Sequence, residues 1–497
     1  MDTRTQLFPI DIYSTYYCFS CKPNGDISST CTVKNFIRQL EEHTYNPRTK
    51  MWQVMYRYCF YDKEKQILYL PVNTLSLFIK YMQGSNLIPQ KRYRAAAPCK
   101  DVTFSIRSKF NLRDKQMDLF RFLVDTDDRF KAIAARTGIG KTFCALAAAA
   151  SLGKVTLVLT MGLVKQWYKE ALEKTTLKKH EIYVIQGNAS ISKLLVLVKN
   201  GYQPKLIIAS IRTMAMYAKC ENGLYKQYPP FPTFLEMLGI GVKITDECHM
   251  NFYANITIDL RSNVWNNIYL SATYERSNTE GERIFSQVFP SEIRYGEHIV
   301  AKYTTTIMVA YTLDATLDEQ AFMTPSGYAH VKFESMLLKN KTLLKRYTDL
   351  IMTGGIQAYY LRCRQLNQRC LVLCSTVEMV KAMADAIHAS FPELKVLCYC
   401  GSDDITVITK DIDVVVSTDR KSGVGFDLKG LKVAINTISY KSSPLAKQMM
   451  GRLRQIPGED TYYLDFYCRD LPTHVRHARS RSIRYKDLAL HYQETSM

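Results

Sequence analysis

Apolar and polar positions change their rhythm along this chain, and the changes mark out its parts. Between residues 106 and 300 short, unbroken apolar runs recur at Lys131–Ala135, Val155–Thr160, Ile182–Ile185, Leu206–Ser210, Val242–Thr245 and Ile268–Ser271, with helix-length segments between them. A run that is apolar throughout, not in alternation, suits a strand buried on both faces of a parallel sheet. Strands alternating with helices predict a doubly wound α/β domain. A second series, Cys370–Cys374, Lys395–Cys398, Val414–Ser417 and Val433–Thr437, predicts another domain of the same construction over 366–497, ending in a basic tail. The span 301–365 is less regular and reads as a connection, with one helix over His330–Thr348. Residues 1–105 are rich in tyrosine and cysteine. Alternation at Gln66–Leu70 and an amphipathic Asn73–Met82 predict a small α+β domain, and Gln90–Arg94 reads as a basic linker. The apolar stretch 143–164 divides into an alanine-rich helix and a strand around Gly153 and Lys154, so no membrane span is expected.

Composition narrows the partner. The chain has 497 residues, enough for two to four cores. It carries 66 Lys and Arg against 46 Asp and Glu, a formal charge of +20, which suits a polyanion. Charge alone does not separate nucleic acid from a membrane surface. Fourteen cysteines follow an N-terminus with no apolar signal segment, which predicts thiols in a reducing, cytoplasmic compartment. Cys18 and Cys21 have metal-ligand spacing, and Cys31 and Cys59 are the residues able to complete a zinc site. No second Cys-x-x-Cys pairs with them, so plain thiols are the favoured reading.

Three stretches carry chemistry. Ala135-Arg136-Thr137-Gly138-Ile139-Gly140-Lys141-Thr142 lies between a predicted strand and a predicted helix. Glycines let a loop fold tightly and aim its N–H groups at an anion, and the helix adds its positive end. Thr137, Gly138, Ile139 and Gly140 would cradle phosphates, Lys141 would reach the β and γ phosphates, and Thr142 would sit on Mg²⁺. Ala135 stands where the usual pattern begins with glycine. Ile244-Thr245-Asp246-Glu247-Cys248-His249 closes another strand, at the edge where doubly wound sheets place ligands. Asp246 would hold Mg²⁺ and Glu247 would polarise the attacking water, with His249 bonding a neighbouring motif, Ser271-Ala272-Thr273, as a coupling element. An isolated acidic pair is ordinarily a helix cap or a solvated loop; the phosphate loop in the same domain reverses that reading. In the second domain Gln448-Met449-Met450-Gly451-Arg452-Leu453-Arg454 offers a guanidinium for a transferring phosphate, with Arg452 favoured over Arg454, and the loop through Gly425 and Asp427 offers a ribose contact.

The order of these motifs resembles superfamily 2 helicases, the DEAD/DEAH-box relatives, over about residues 110–465. The resemblance implies two RecA-like domains in tandem. It places Arg113 and Gln116 near the adenine and makes Thr160, Gly162, Gln166, Ser210, Arg212, Ser375 and Thr418 nucleic-acid contacts. The two arginines depart from the family pattern, being spaced by two instead of three. Tyr45-Asn46-Pro47-Arg48, Trp52, Tyr61-Asp62 and Leu68-Tyr69-Leu70-Pro71 look like the N-terminal domain of phage recombination helicases of the UvsW type. The expected activity is that of an ATP- and Mg²⁺-dependent DNA helicase remodelling branched DNA, binding single-stranded and branched DNA alongside replication or recombination proteins. The alternatives are an RNA-directed or transcript-release ATPase of the poxvirus type, a restriction-complex motor, and a non-catalytic scaffold.

Overall fold

The computed structural model describes residues 6–21, 31–46, 49–83, 87–125, 128–135, 139–219, 227–272, 274, 279–296, 302, 304–325, 327–401, 411–419, 428, 430–441, 450, 453, 456 and 459–497. The chain divides into two compact units, Met1–Ile299 and Val300–Met497.

The first unit begins with β1 (Gln6–Ile12) and β2 (Tyr16–Ser20), followed by a separate antiparallel ribbon of β3 (Glu41–Asn46) and β4 (Met51–Arg57). Then come β5 (Phe60–Asp62), β6 (Ile67–Pro71) and β7 (Leu87–Tyr93). The small sheet runs β5-β6-β2-β1-β7, with β7 parallel to β1 and the other pairs antiparallel. Gln90–Arg94, expected as a linker, therefore lies largely within an edge strand. Its lysine and arginine side chains point to water, a common way to keep an edge from pairing further. Two short helices, Cys31–Gln39 and Leu75–Met82, cover this sheet through Phe36, Phe78 and Met82.

The larger sheet of this unit holds β8 (Phe130–Ala134), β9 (Val155–Thr160), β10 (Ile182–Ile185), β11 (Leu206–Ser210), β12 (Ile240–Asp246), β13 (Asn266–Ser271) and β14 (Arg294–Tyr295). Every described pairing in it is parallel, in the order β10-β11-β9-β12-β13-β8-β14. The small domain shares its core: Tyr58 stacks on Phe252 at 4.7 Å, and the Thr15 hydroxyl is 2.8 Å from the Asp259 carbonyl oxygen and 2.6 Å from that of Ser262. Asp259 in turn pairs with Lys243, which is fully buried on β12, and accepts from the Tyr269 hydroxyl at 2.9 Å.

The second unit opens on β15 (Thr304–Tyr311) and a short ribbon, β16 (Met323–Thr324) and β17 (Gly327–Tyr328). It continues with β18 (Arg369–Cys374), β19 (Val396–Tyr399), β20 (Val414–Thr418), β21 (Leu431–Asn436), β22 (Thr461–Cys468) and β23 (His491–Ser496). Its sheet is again parallel, in the order β19-β20-β18-β21-β22-β15-β23. Two expectations change here. The span 301–365 is not merely a connection: β15, buried at all eight positions, sits between β22 and β23, and its three leading threonines hid it from a hydropathy reading. The helix expected over 330–348 is two helices, His330–Lys339 and Lys341–Ile351, because Asn340 leaves the helical region and caps the second one, accepting from the Leu343 N–H.

The basic tail is a helix, Pro472–Leu488. Within it Arg481 is fully buried, donating to both Asp465 oxygens at 2.7 Å and to the Tyr440 carbonyl at 2.6 Å. A buried carboxylate on a central strand needs such a partner. Cys18 and Cys21 are free, buried thiols, and burial pushes the Cys18 thiol up to about 12. Among the described residues no helix is long and apolar enough to cross a membrane.

Candidate nucleotide site

β8 runs out at Ala134, and the Ala135 N–H donates to the Ser271 carbonyl of neighbouring β13 at 3.1 Å, holding the two strand ends level. Gly140 has φ +95°, a region that suits glycine alone, and a Cβ there would collide with the Gln116 amide. The helix Lys141–Leu152 starts at once, packing its alanine-rich first turns into the core. The Lys141 ammonium is buried and donates to the Ala135 carbonyl at 2.6 Å, closing the loop on itself. Thr142 follows, half-buried. Thr137 and Gly138 lie outside the described residues.

Arg113 and Gln116 clamp this loop from outside. The Gln116 amide donates to the Ile139 carbonyl at 2.7 Å, an Arg113 guanidinium N–H donates to the same oxygen at 3.0 Å, and the Arg113 N–H donates to Gln116 Oε1 at 2.9 Å. The resemblance places both beside a base; their described contacts are to the loop backbone.

Asp246 ends β12 with its side chain buried, and Oδ2 accepts from the Trp167 indole N–H at 2.7 Å. Burial, and then the neighbouring Glu247, push the Asp246 carboxyl up to about 7, while the Trp167 N–H and Lys141 pull it back. The effect of Lys141 on Asp246 places the loop lysine and the acidic pair in one electrostatic neighbourhood. Glu247 stands at φ +47°, a strained conformation for a residue with a Cβ. Among the described residues its Oε2 is buried without a hydrogen-bond partner, 3.4 Å from His249 Nδ1. That His249 nitrogen lies 2.7 Å from the Ser271 hydroxyl on β13. So Asp246, Glu247, His249 and Ser271 gather at the ends of adjacent strands. Thr273 lies outside the described residues.

Trp167 escaped the sequence reading as a site residue. It follows Gln166 on the helix Val164–Lys174, and its place three residues after Val164 marks it as core; only the fold shows that its N–H meets a carboxylate. On the same helix Gln166 bonds Glu170 at 3.1 Å. Thr160 is buried with its hydroxyl unpartnered, Gly162 is exposed at φ +77°, Ser210 is half-buried, and Arg212 is exposed. In the second unit the Ser375 and Thr376 N–H groups donate to the two oxygens of buried Glu334 at 2.6 and 2.7 Å, a second anchor missed from sequence. Thr418 is buried at the end of β20. Gly425, Asp427, Gln448, Arg452 and Arg454 lie outside the described residues.

The donor set fits a nucleoside triphosphate with Mg²⁺. An ammonium and a helix N-terminus suit phosphate oxygens, a hydroxyl and one carboxylate suit a cation that keeps its waters, and Glu247 retains an unpartnered buried oxygen.

Residues 109–276 match the family described as type III restriction enzyme, res subunit. No curated protein matches the chain. Among solved structures, T4 UvsW is 14% identical with a TM-score of 0.37, over 99% of this chain and 99% of that one. Mss116p, in a form with its NTE and C-tail deleted and bound to ssRNA and AMP-PNP, is 15% identical with a TM-score of 0.47, over 78% of this chain and 75% of that one. The family match lies wholly within the first of the two units and takes in both the loop that ends on Lys141 and the Asp246–Glu247 pair.

Proposed function

We propose that this protein is an ATP-driven DNA translocase that remodels branched DNA. The observation that carries the reading is the meeting of a clamped, lysine-closed loop with the Asp246–Glu247 pair and its His249–Ser271 bridge at adjacent strand ends. ATP with Mg²⁺ supplies a γ-phosphoryl group open to attack by water. Lys141 would leave the Ala135 carbonyl to bind phosphate, and Thr142 and Asp246 would hold the cation. Trp167 keeps the Asp246 carboxylate aimed. Glu247, with one oxygen free, orients the water and takes its proton, and His249 passes the change to Ser271 and so to β13. Gln448, Arg452 and Arg454 are proposed for the same reaction, with Arg452 stabilising the charge that develops on the transferring phosphoryl group. The charge of +20 supports a polyanionic track.

ATPase rates measured with single-stranded, duplex, forked and four-way DNA, and with RNA, test this. Forked or four-way DNA is expected to stimulate most. Stimulation by RNA alone would replace the DNA reading with an RNA-directed one.

A further inference from the structure

The ribbon β3–β4 stands apart from every larger sheet. It is tied down at one end only. Arg57 pairs with Glu41 at 2.6 Å, the Tyr58 hydroxyl donates to Glu42 at 2.5 Å, the His43 N–H donates to Glu280 at 2.7 Å, and Tyr56 stacks on Tyr253 at 4.5 Å. Beyond that base the ribbon loses its cover. Trp52 is 70% exposed, Met51 65%, and Tyr45, Val54 and Met55 are also open to solvent. An isolated two-stranded ribbon is marginal in water, and apolar side chains on both its faces add a solvation cost with no core in return.

What such a surface fits is set by its aromatics and its charge. Tyr45 and Trp52 are direct cross-strand partners, ring centroids 5.8 Å apart at 63°, so each ring braces the other while most of the indole stays open to solvent. Asn46 and Gln53 beside them bond through their amides at 3.4 Å. At the base the charges are matched, Arg57 by Glu41 and His43 by Glu280, whereas between Thr44 and Met55 the sequence has no carboxylate and carries Arg48 and Lys50. Exposed rings on a stretch that brings no carboxylate towards phosphate make a stacking platform for bases. A protein surface would be met with the same apolar area but gives no reason for the one-signed charge.

We propose that the outer half of the β3–β4 ribbon is a second DNA contact, on which Trp52 stacks against an unpaired base of single-stranded DNA. The inference deepens the DNA reading above and rests on it for the choice of polymer.

The test uses the full chain and an oligothymidylate. Trp52 is one of three tryptophans; Trp167 is buried and Trp265 half-buried, so base stacking on Trp52 is expected to quench emission. The quench should vanish in Trp52→Ala, whose affinity should fall about tenfold, while Trp52→Tyr keeps most of it. An unchanged melting temperature shows that Trp52→Ala is folded, and its ATPase without DNA should match the wild type. Unchanged affinity in Trp52→Ala overturns the ribbon contact. A tenfold loss on oligouridylate with none on oligothymidylate overturns the choice of DNA. A wild-type chain that neither binds DNA nor is stimulated by it would sink the functional reading itself, a distinct result from a DNA-stimulated ATPase whose affinity ignores Trp52.

Discussion

The two large sheets are the same sheet built twice. Numbering the strands within each unit from one to seven, both run three-four-two-five-six-one-seven, parallel throughout. Their chemistry is not the same. After its first strand the first sheet has Gly140, Lys141 and Thr142; after its first strand the second has Thr312, Leu313 and Asp314. The fifth strand of the first ends on Asp246 and Glu247, and that of the second ends on Asn436 and Thr437. One topology offers the strand-end ledge in both units, and the residues proposed to bind phosphate stand on the ledge of the first. Each sheet also buries an ion pair, Lys243 with Asp259 in one and Arg481 with Asp465 in the other. The first is joined by Tyr269 and, at the Asp259 backbone carbonyl, by the Thr15 hydroxyl of the small domain; the second is closed by Tyr485 at 2.7 Å and Asn436 at 3.1 Å.

The sharpest way to break this asymmetry is Lys141→Ala. If one sheet alone handles phosphate, steady-state ATPase should fall by roughly 10²–10³-fold, with the fold unchanged by circular dichroism. Residual activity near half the wild-type rate would mean that the second sheet also hydrolyses.

Next in size is Arg481→Ala. It strands Asp465 in the second core and should cost about 3–5 kcal/mol, read by denaturant unfolding. The nucleotide affinity of the first unit should be spared, so a matching loss there would show that the two units are not separable.

The smallest effect is a pH dependence peculiar to the second unit. Burial, together with Arg481 and His477, lowers His330 to about 3; burial, with His330, Arg481 and His477, holds His474 well below its ordinary value. Their folded pKa values lie below the unfolded one, so their contribution is present above pH 6.5 and is lost as pH falls towards about 3. His477, lowered to about 4 chiefly by burial, acts in the same sense, and Glu334, pushed up to about 7 by burial, acts in the opposite one, so one carboxyl stands against three imidazoles. Lowering pH from 7 to 5 should therefore weaken the second unit by about 1–2 kcal/mol per pH unit, seen as an earlier melting transition that His330→Gln reduces. A transition that moved only in the first unit would refute this.

Much of the chain could be read before it was folded. Ten strands lay within a residue or two of their expected places, because a strand covered on both faces must be apolar along its whole length. The proposed phosphate loop and acidic pair could be singled out because they are local patterns, a few adjacent residues with fixed spacing to a strand end. β15, β22 and β23 were not: Thr304–Thr306 and Thr461 are polar letters whose burial depends on neighbours far along the chain.

By itself the sequence determined the alternation of strands and helices, the tandem α/β plan, and the identities of Lys141, Asp246 and Glu247. Only the tertiary structure decided that Trp167 holds Asp246, that Gln116 and Arg113 grip the loop backbone, that Arg481 faces a carboxylate and not a polymer, and that Trp52 has no cover. The reason is the same in each case. Which partner a polar or aromatic group meets depends on residues tens to hundreds of positions away, and periodicity along the chain carries no record of them.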